Sequence, residues 1–188
     1  RRNTASAKWT KYANDVLPMW VADMDFRSPE PVIKALTERV SHGIFGYEGP
    51  TPALYDVICE RMQRQYNWKV SPEEILFLPG LVSGFNLMAR ATGQAGDGVV
   101  MLTPVYHPFL SAPGNQGEIA QTAQLIRKTH GQIITYEIDF DAFEAAITPR
   151  TRMFLHCHPH NPIGREWTPA ENRRLAEICI KHNLIICS

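Results

Sequence analysis

From about residue 74 onward, short apolar runs alternate with stretches of helical periodicity, and this alternation limits the chain to few architectures. Runs at 75–78, 99–102, 124–127, 153–156 and 184–187 read as strands, most of them apolar on both faces. Such strands leave no face for water and must be covered by helices on both sides. The intervening segments supply those helices. Residues 80–91 read as a helix opening at a glycine-rich turn, with Leu81, Phe85 and Met88 spaced for one buried face. Residues 140–147 read likewise, and Thr168, Pro169 and Glu171 form a capped helix start running to about residue 182. The expected fold class is α/β, a mostly parallel sheet flanked by helices.

Residues 1–73 differ in character, with an irregular, proline-punctuated start followed by helical patterns at 31–40 and 52–66. They read as an arm and a smaller subdomain. The 19 basic and 19 acidic side chains cancel, and no basic run offers a footprint for nucleic acid or anionic lipid, so a small neutral or zwitterionic partner fits better. Cys59, Cys157, Cys179 and Cys187 are scattered without close pairing, which argues for thiols in a reducing compartment, by default the cytoplasm. No apolar stretch approaches the roughly 20 residues of a membrane helix. The final run, 184–187, is a buried parallel strand by composition, and ligands in open parallel sheets bind beyond the carboxyl ends of such strands. The expectation is therefore that the chain stops inside a longer protein, truncated at its C-terminal side.

Four segments follow or adjoin strands where ligands bind. Asn161-Pro162-Ile163-Gly164 presents an asparagine amide on a rigid reversal, although the same residues also make an ordinary turn. In Thr103-Pro104-Val105-Tyr106-His107-Pro108-Phe109, Tyr106 offers a flat ring that stacks on a planar ligand or simply packs in its loop. Pro79-Gly80-Leu81-Val82-Ser83-Gly84 joins a strand to a helix start, a setting that favours phosphate, but it lacks the G-x-G-x-x-G of a dinucleotide site. His156, His158 and His160 alternate and raise a zinc or iron site as an alternative to polar residues lining a pocket mouth. Trp20-Val21-Ala22-Asp23-Met24-Asp25-Phe26 sets two carboxylates among apolar neighbours, suited either to acid/base work or to capping a turn. No serine-nucleophile elbow is present.

The succession of Lys8-Trp9, the segment from Trp20 to Phe26, Phe45-Gly46-Tyr47, the segment from Thr103 to Phe109, Asn161 to Gly164 and the closing Ile-Cys-Ser resembles fold type I pyridoxal-phosphate enzymes. Within them it is most similar to the MalY/PatB group of cystathionine β-lyases, in the class I/II aminotransferase superfamily. The resemblance implies that Tyr106 stacks on the pyridine of pyridoxal 5'-phosphate and that Asn161 donates to its phenolic oxygen. Leu81 and Val82 would offer backbone amides to the phosphate. Tyr47 would reach the phosphate of a neighbouring subunit's cofactor, implying a homodimer with composite sites. Ala22, Asp23, Met24 and Asp25 would border the amino-acid substrate. Residues 1–50 would form an arm and small-domain or interface segment, and 51–188 part of the large cofactor-binding α/β domain.

In that group the pattern continues past the serine matching Ser188 into an aspartate, then the Schiff-base lysine and a substrate-binding arginine. None of the six lysines here (Lys8, Lys11, Lys34, Lys69, Lys128, Lys181) matches the catalytic one, so no catalytic residue is assigned and the 188-residue chain is expected to be inactive alone. The implied reaction of the intact protein is β-elimination from a sulfur amino acid to a keto acid, ammonia and a thiol. An aminotransferase on the same scaffold is the nearest alternative, and a non-catalytic binding or regulatory module the next.

Overall fold

Three helices precede the alternating region in the computed structural model, which describes residues 1, 2 and 4–188: α1 (Ala7–Thr10), α2 (Glu30–His42) and α3 (Pro52–Tyr66). Helix α3 starts where local chemistry dictates, with the Thr51 hydroxyl accepting from the Leu54 amide at 3.3 Å and Pro52 in the first turn. It ends at Asn67 in the left-handed region, φ 49°. These helices belong to one compact unit, Arg1–Pro72, and the remainder to a second, Glu73–Ser188. That division lies after α3, next to the change of character at 73/74, whereas the boundary implied by the resemblance, 50/51, lies ahead of the same helix.

The second unit runs α4 (Leu81–Thr92), β1 (Gly98–Thr103), α5 (His107–Asn115), β2 (Ile119–Gln124), β3 (Ile126–His130), β4 (Ile133–Glu137), α6 (Phe140–Ala145), β5 (Thr151–Leu155), α7 (Pro169–Lys181) and β6 (Ile185–Cys187). Strands β2, β1, β5 and β6 form, in that order, a wholly parallel sheet. Side-chain alternation divides its two faces. Val99 and Met101 of β1 join Met153 and Leu155 of β5 in one core, with Phe85 and Ala89 of α4 and Ala112 of α5. Val100, Leu102 and Phe154 point the other way, into a core with Phe143 of α6 and Leu175, Ile178 and Cys179 of α7. Each buried aliphatic side chain contributes about 1.5–3 kcal/mol, so strands covered on both faces anchor the unit.

The strand order fixes where a ligand site belongs. From β1 the chain crosses through α5 to β2 on one side, yet β5 returns to the opposite side of β1. The carboxyl ends of β1 and β5 thus flank a topological switch point, where loops diverge and leave a crevice.

Several expectations need correction. Residues 75–78 form no strand, despite their apolar composition: they join no ladder of the sheet, and Leu76 is 85% exposed. A strand requires a hydrogen-bonded neighbour as well as apolar side chains. The strand expected at 124–127 is a junction. The parallel ladder ends as the Leu125 amide donates to the Thr103 carbonyl at 2.7 Å, and the chain then enters an antiparallel hairpin of β3 and β4. Its two-residue turn contains Gly131 at φ 61°, a conformation that glycine adopts without a steric penalty. Strand β5 stops at Leu155, so His156 begins the following loop. Helix α5 is not among the helices expected from the sequence; Pro108 sits in its first turn, where a missing amide costs nothing.

Candidate functional site

The crevice at the switch point is a cavity of about 440 Å³ lined by Leu81, Val82, Phe85, Tyr106, Asn161 and Cys187 among others. Three elements build it. Helix α4 contributes its N-terminus, entered through Gly80 at φ 144°, a backbone angle that a side chain would strain. No side chain caps this helix, so its first amides are left to bind an anion in the favourable end of the helix dipole. The loop after β1 contributes Tyr106, which is 38% exposed and stands at the N-cap of α5. The loop after β5 contributes Asn161, exposed, whose side-chain amide makes no hydrogen bond among the described residues. The two loops touch, for the Tyr106 amide donates to the Asn161 carbonyl at 2.8 Å. The structure thus brings together Leu81, Val82, Tyr106 and Asn161, four positions singled out from sequence.

The histidines do not gather as ligands. His156 donates from Nε2 to the Asn172 amide oxygen at 3.0 Å and lies parallel to His158, ring centroids 5.4 Å apart. His160 turns instead toward the Pro104 carbonyl at 2.8 Å. Among the described residues no group of three His, Cys, Asp or Glu side chains is disposed to hold a metal ion. Burial is the main force on these groups. It pushes the His156 imidazole down to about 4, against the Asn172 hydrogen bond and with help from His158 and His160, and it lowers His160 as well. Burial pushes the Cys157 and Cys187 thiols up, so neither is an activated thiolate.

Ala22, Asp23, Met24 and Asp25 lie in the first unit, all exposed. The two carboxylates are neither a proton-sharing pair nor turn caps. Asp25 accepts from Lys8 Nζ at 2.8 Å, Trp9 Nε1 at 2.7 Å and Arg1 at 3.2 Å, while Asp23 takes Arg1 at 2.5 Å. The Lys8 hydrogen bond foremost, then that of Trp9, holds the Asp25 carboxyl below the usual range. Partners 16 to 24 residues away leave no mark on local spacing. Tyr47 is fully exposed in the same unit, outside any helix or strand.

The sequence reading missed Leu78, Phe109, Leu155 and Cys187 as cavity lining. Their composition marks them only as core, and no local signal separates a wall from a core. His160 reads from the sequence as a third imidazole adjoining the Asn161 turn, and nothing in local spacing ties it to Pro104.

Known proteins share this architecture. Cystathionine beta-lyase PatB of Bacillus subtilis is 40% identical over the whole chain and 49% of its own length. A PLP-bound putative aminotransferase from Clostridium difficile superposes with a TM-score of 0.91 at 34% identity, covering 99% of this chain and 49% of that one. Cystalysin from Treponema denticola, whose crystal structure contains a pyridoxal 5'-phosphate cofactor, superposes with a TM-score of 0.89 at 30% identity, covering 99% of this chain and 48% of that one. The chain spans about half the length of the curated relatives it matches. The model of the family described as aminotransferase class I and II matches residues 14–188, which hold every element of the crevice, and the chain belongs to that family.

Proposed function

We propose that this chain supplies the cofactor cradle of a pyridoxal-phosphate carbon–sulfur β-lyase. The observation that carries the reading is the convergence of an uncapped helix start, an aromatic ring and a free carboxamide on one apolar cavity. These groups fit the cofactor: the Leu81 and Val82 amides bind its phosphate, Tyr106 stacks on its ring, and Asn161 donates to its phenolic oxygen. Bound pyridoxal phosphate supplies an electron sink for carbanion chemistry at the α-carbon of an amino acid. The apolar walls, Phe85 and Leu155 among them, exclude water from that chemistry. Residues 22–25 border the amino-acid substrate, and Tyr47 reaches the cofactor phosphate of a second subunit in a cytoplasmic homodimer. The similarity to cystathionine β-lyase PatB and to cystalysin supports this choice.

The cavity lining includes no lysine, so the 188-residue chain alone is expected to show no β-lyase turnover. The test supplies cystathionine and pyridoxal phosphate to the full-length protein and assays pyruvate and thiol. Release of both is expected. Amino transfer to a keto acid without pyruvate would instead establish the second reading, an aminotransferase, which the similarity to the Clostridium difficile protein favours.

A further inference from the structure

We infer that His160 is a positioning residue that clamps the loop after β1 to the loop after β5, fixing the Tyr106 ring and the Asn161 amide relative to one another. The inference rests on the cofactor reading only for what those two groups bind. Two hydrogen bonds cross between the loops among the described residues: Tyr106 amide to Asn161 carbonyl, and His160 Nε2 to Pro104 carbonyl, each 2.8 Å. A carbonyl can only accept, so the imidazole carries its proton on Nε2. Its Nδ1 is buried and makes no hydrogen bond of standard geometry among the described residues.

The clamp is itself held rigid. The His160 amide donates to the Arg165 carbonyl at 2.7 Å, and the His160 carbonyl accepts from the Gly164 amide at 2.9 Å. The ring is 2% exposed and meets the buried Trp167 edge-on, centroids 5.4 Å apart. Arg165 in turn lies over the Trp167 ring, 4.4 Å from its centroid. A ring so packed cannot swing away from Pro104 without opening the core beneath it. Pro104 is two residues from Tyr106 and His160 is adjacent to Asn161, so the bond acts on both groups through very little intervening backbone.

Amide hydrogen exchange in the full chain tests this without cofactor or activity. In His160→Leu, which keeps apolar volume and removes the donor, the Tyr106 amide is expected to exchange about tenfold faster, with Val100 and Phe154 unchanged. His160→Gln, which restores a donor amide, is expected to return Tyr106 to the unsubstituted rate. Unchanged exchange at Tyr106, acceleration in step with Val100 and Phe154, or no recovery in His160→Gln overturns the inference. Should His160→Leu not fold, nitrogen NMR of the unsubstituted chain decides. A proton on Nε2 at neutral pH supports the clamp, and the Nδ1–H tautomer overturns it. Failure here leaves the β-lyase reading intact, and absence of pyruvate leaves the clamp intact.

Discussion

His156 makes the acid limb of the stability curve a quantitative test of the site's packing. It follows β5 directly, is 8% exposed, donates to Asn172 at 3.0 Å, and lies 4.9 Å from the Phe154 ring. Its Nδ1 is buried without a partner among the described residues. Burial first, then the neighbouring His158 and His160, lowers the imidazole from its ordinary 6.5 to about 4. The unfolded chain takes up this proton near 6.5 and the folded chain only near 4. Stability is therefore full above the higher value, is lost as pH falls between the two, and levels off below. At ~1.4 kcal/mol per pH unit, the loss is about 3 kcal/mol. Carboxylates held low, such as Asp25 and Glu171, also lose stability in acid, so the measurement is a difference. His156→Gln keeps an amide donor for Asn172 and cannot titrate. With a urea slope of about 2 kcal/mol per molar, the unsubstituted midpoint should fall about 1.5 M further than that of His156→Gln between about pH 7 and 4. Midpoints that fall in parallel, or a His156 ring proton titrating near its ordinary value, would refute the reasoning.

Two further tests probe the scaffold. Glu118 is 6% exposed with both oxygens unpartnered among the described residues; burial first, then the charge of Asp97, raises its carboxyl. Asp97 is itself paired with Arg150 at 3.1 Å and Arg152 at 3.3 Å, so Glu118 gains no cation of its own. A raised carboxyl contributes stability at low pH that is lost as pH rises from the ordinary carboxylate range through its folded value, so Glu118→Gln should remove that part of the pH dependence of Tm. A Tm difference between the two proteins that does not vary with pH counts against this. The Thr168 hydroxyl accepts from the Glu171 amide at 3.2 Å while Glu171 Oε2 accepts from the Thr168 amide at 2.9 Å. Thr168→Ala should cost about 1 kcal/mol in urea unfolding, and a loss within error of zero would show that the capping box does not hold α7.

What was legible in the sequence was what local chemistry decides. Val99 to Leu102 and Met153 to Leu155 are apolar at consecutive positions, so both faces must be covered wherever the strand sits. Thr168, Pro169 and Glu171 specify a helix start with no distant partner. The β3–β4 hairpin was not legible, because Arg127, Lys128, Thr129 and His130 are all exposed and show no alternation. The run at 75–78 failed in the opposite sense, being apolar without a ladder to join.

The sequence by itself determined the α/β class, the covered strands, the capped helix and, through ordered motifs, the family. Only the tertiary structure decided that Tyr106 and Asn161 share a cavity, that Asp25 is spent on Lys8 and Trp9, and that His160 reaches Pro104. The first and last of these depend on the ladder that sets β1 beside β5, and pairing between strands so far apart in the chain leaves no trace in the residues around either one.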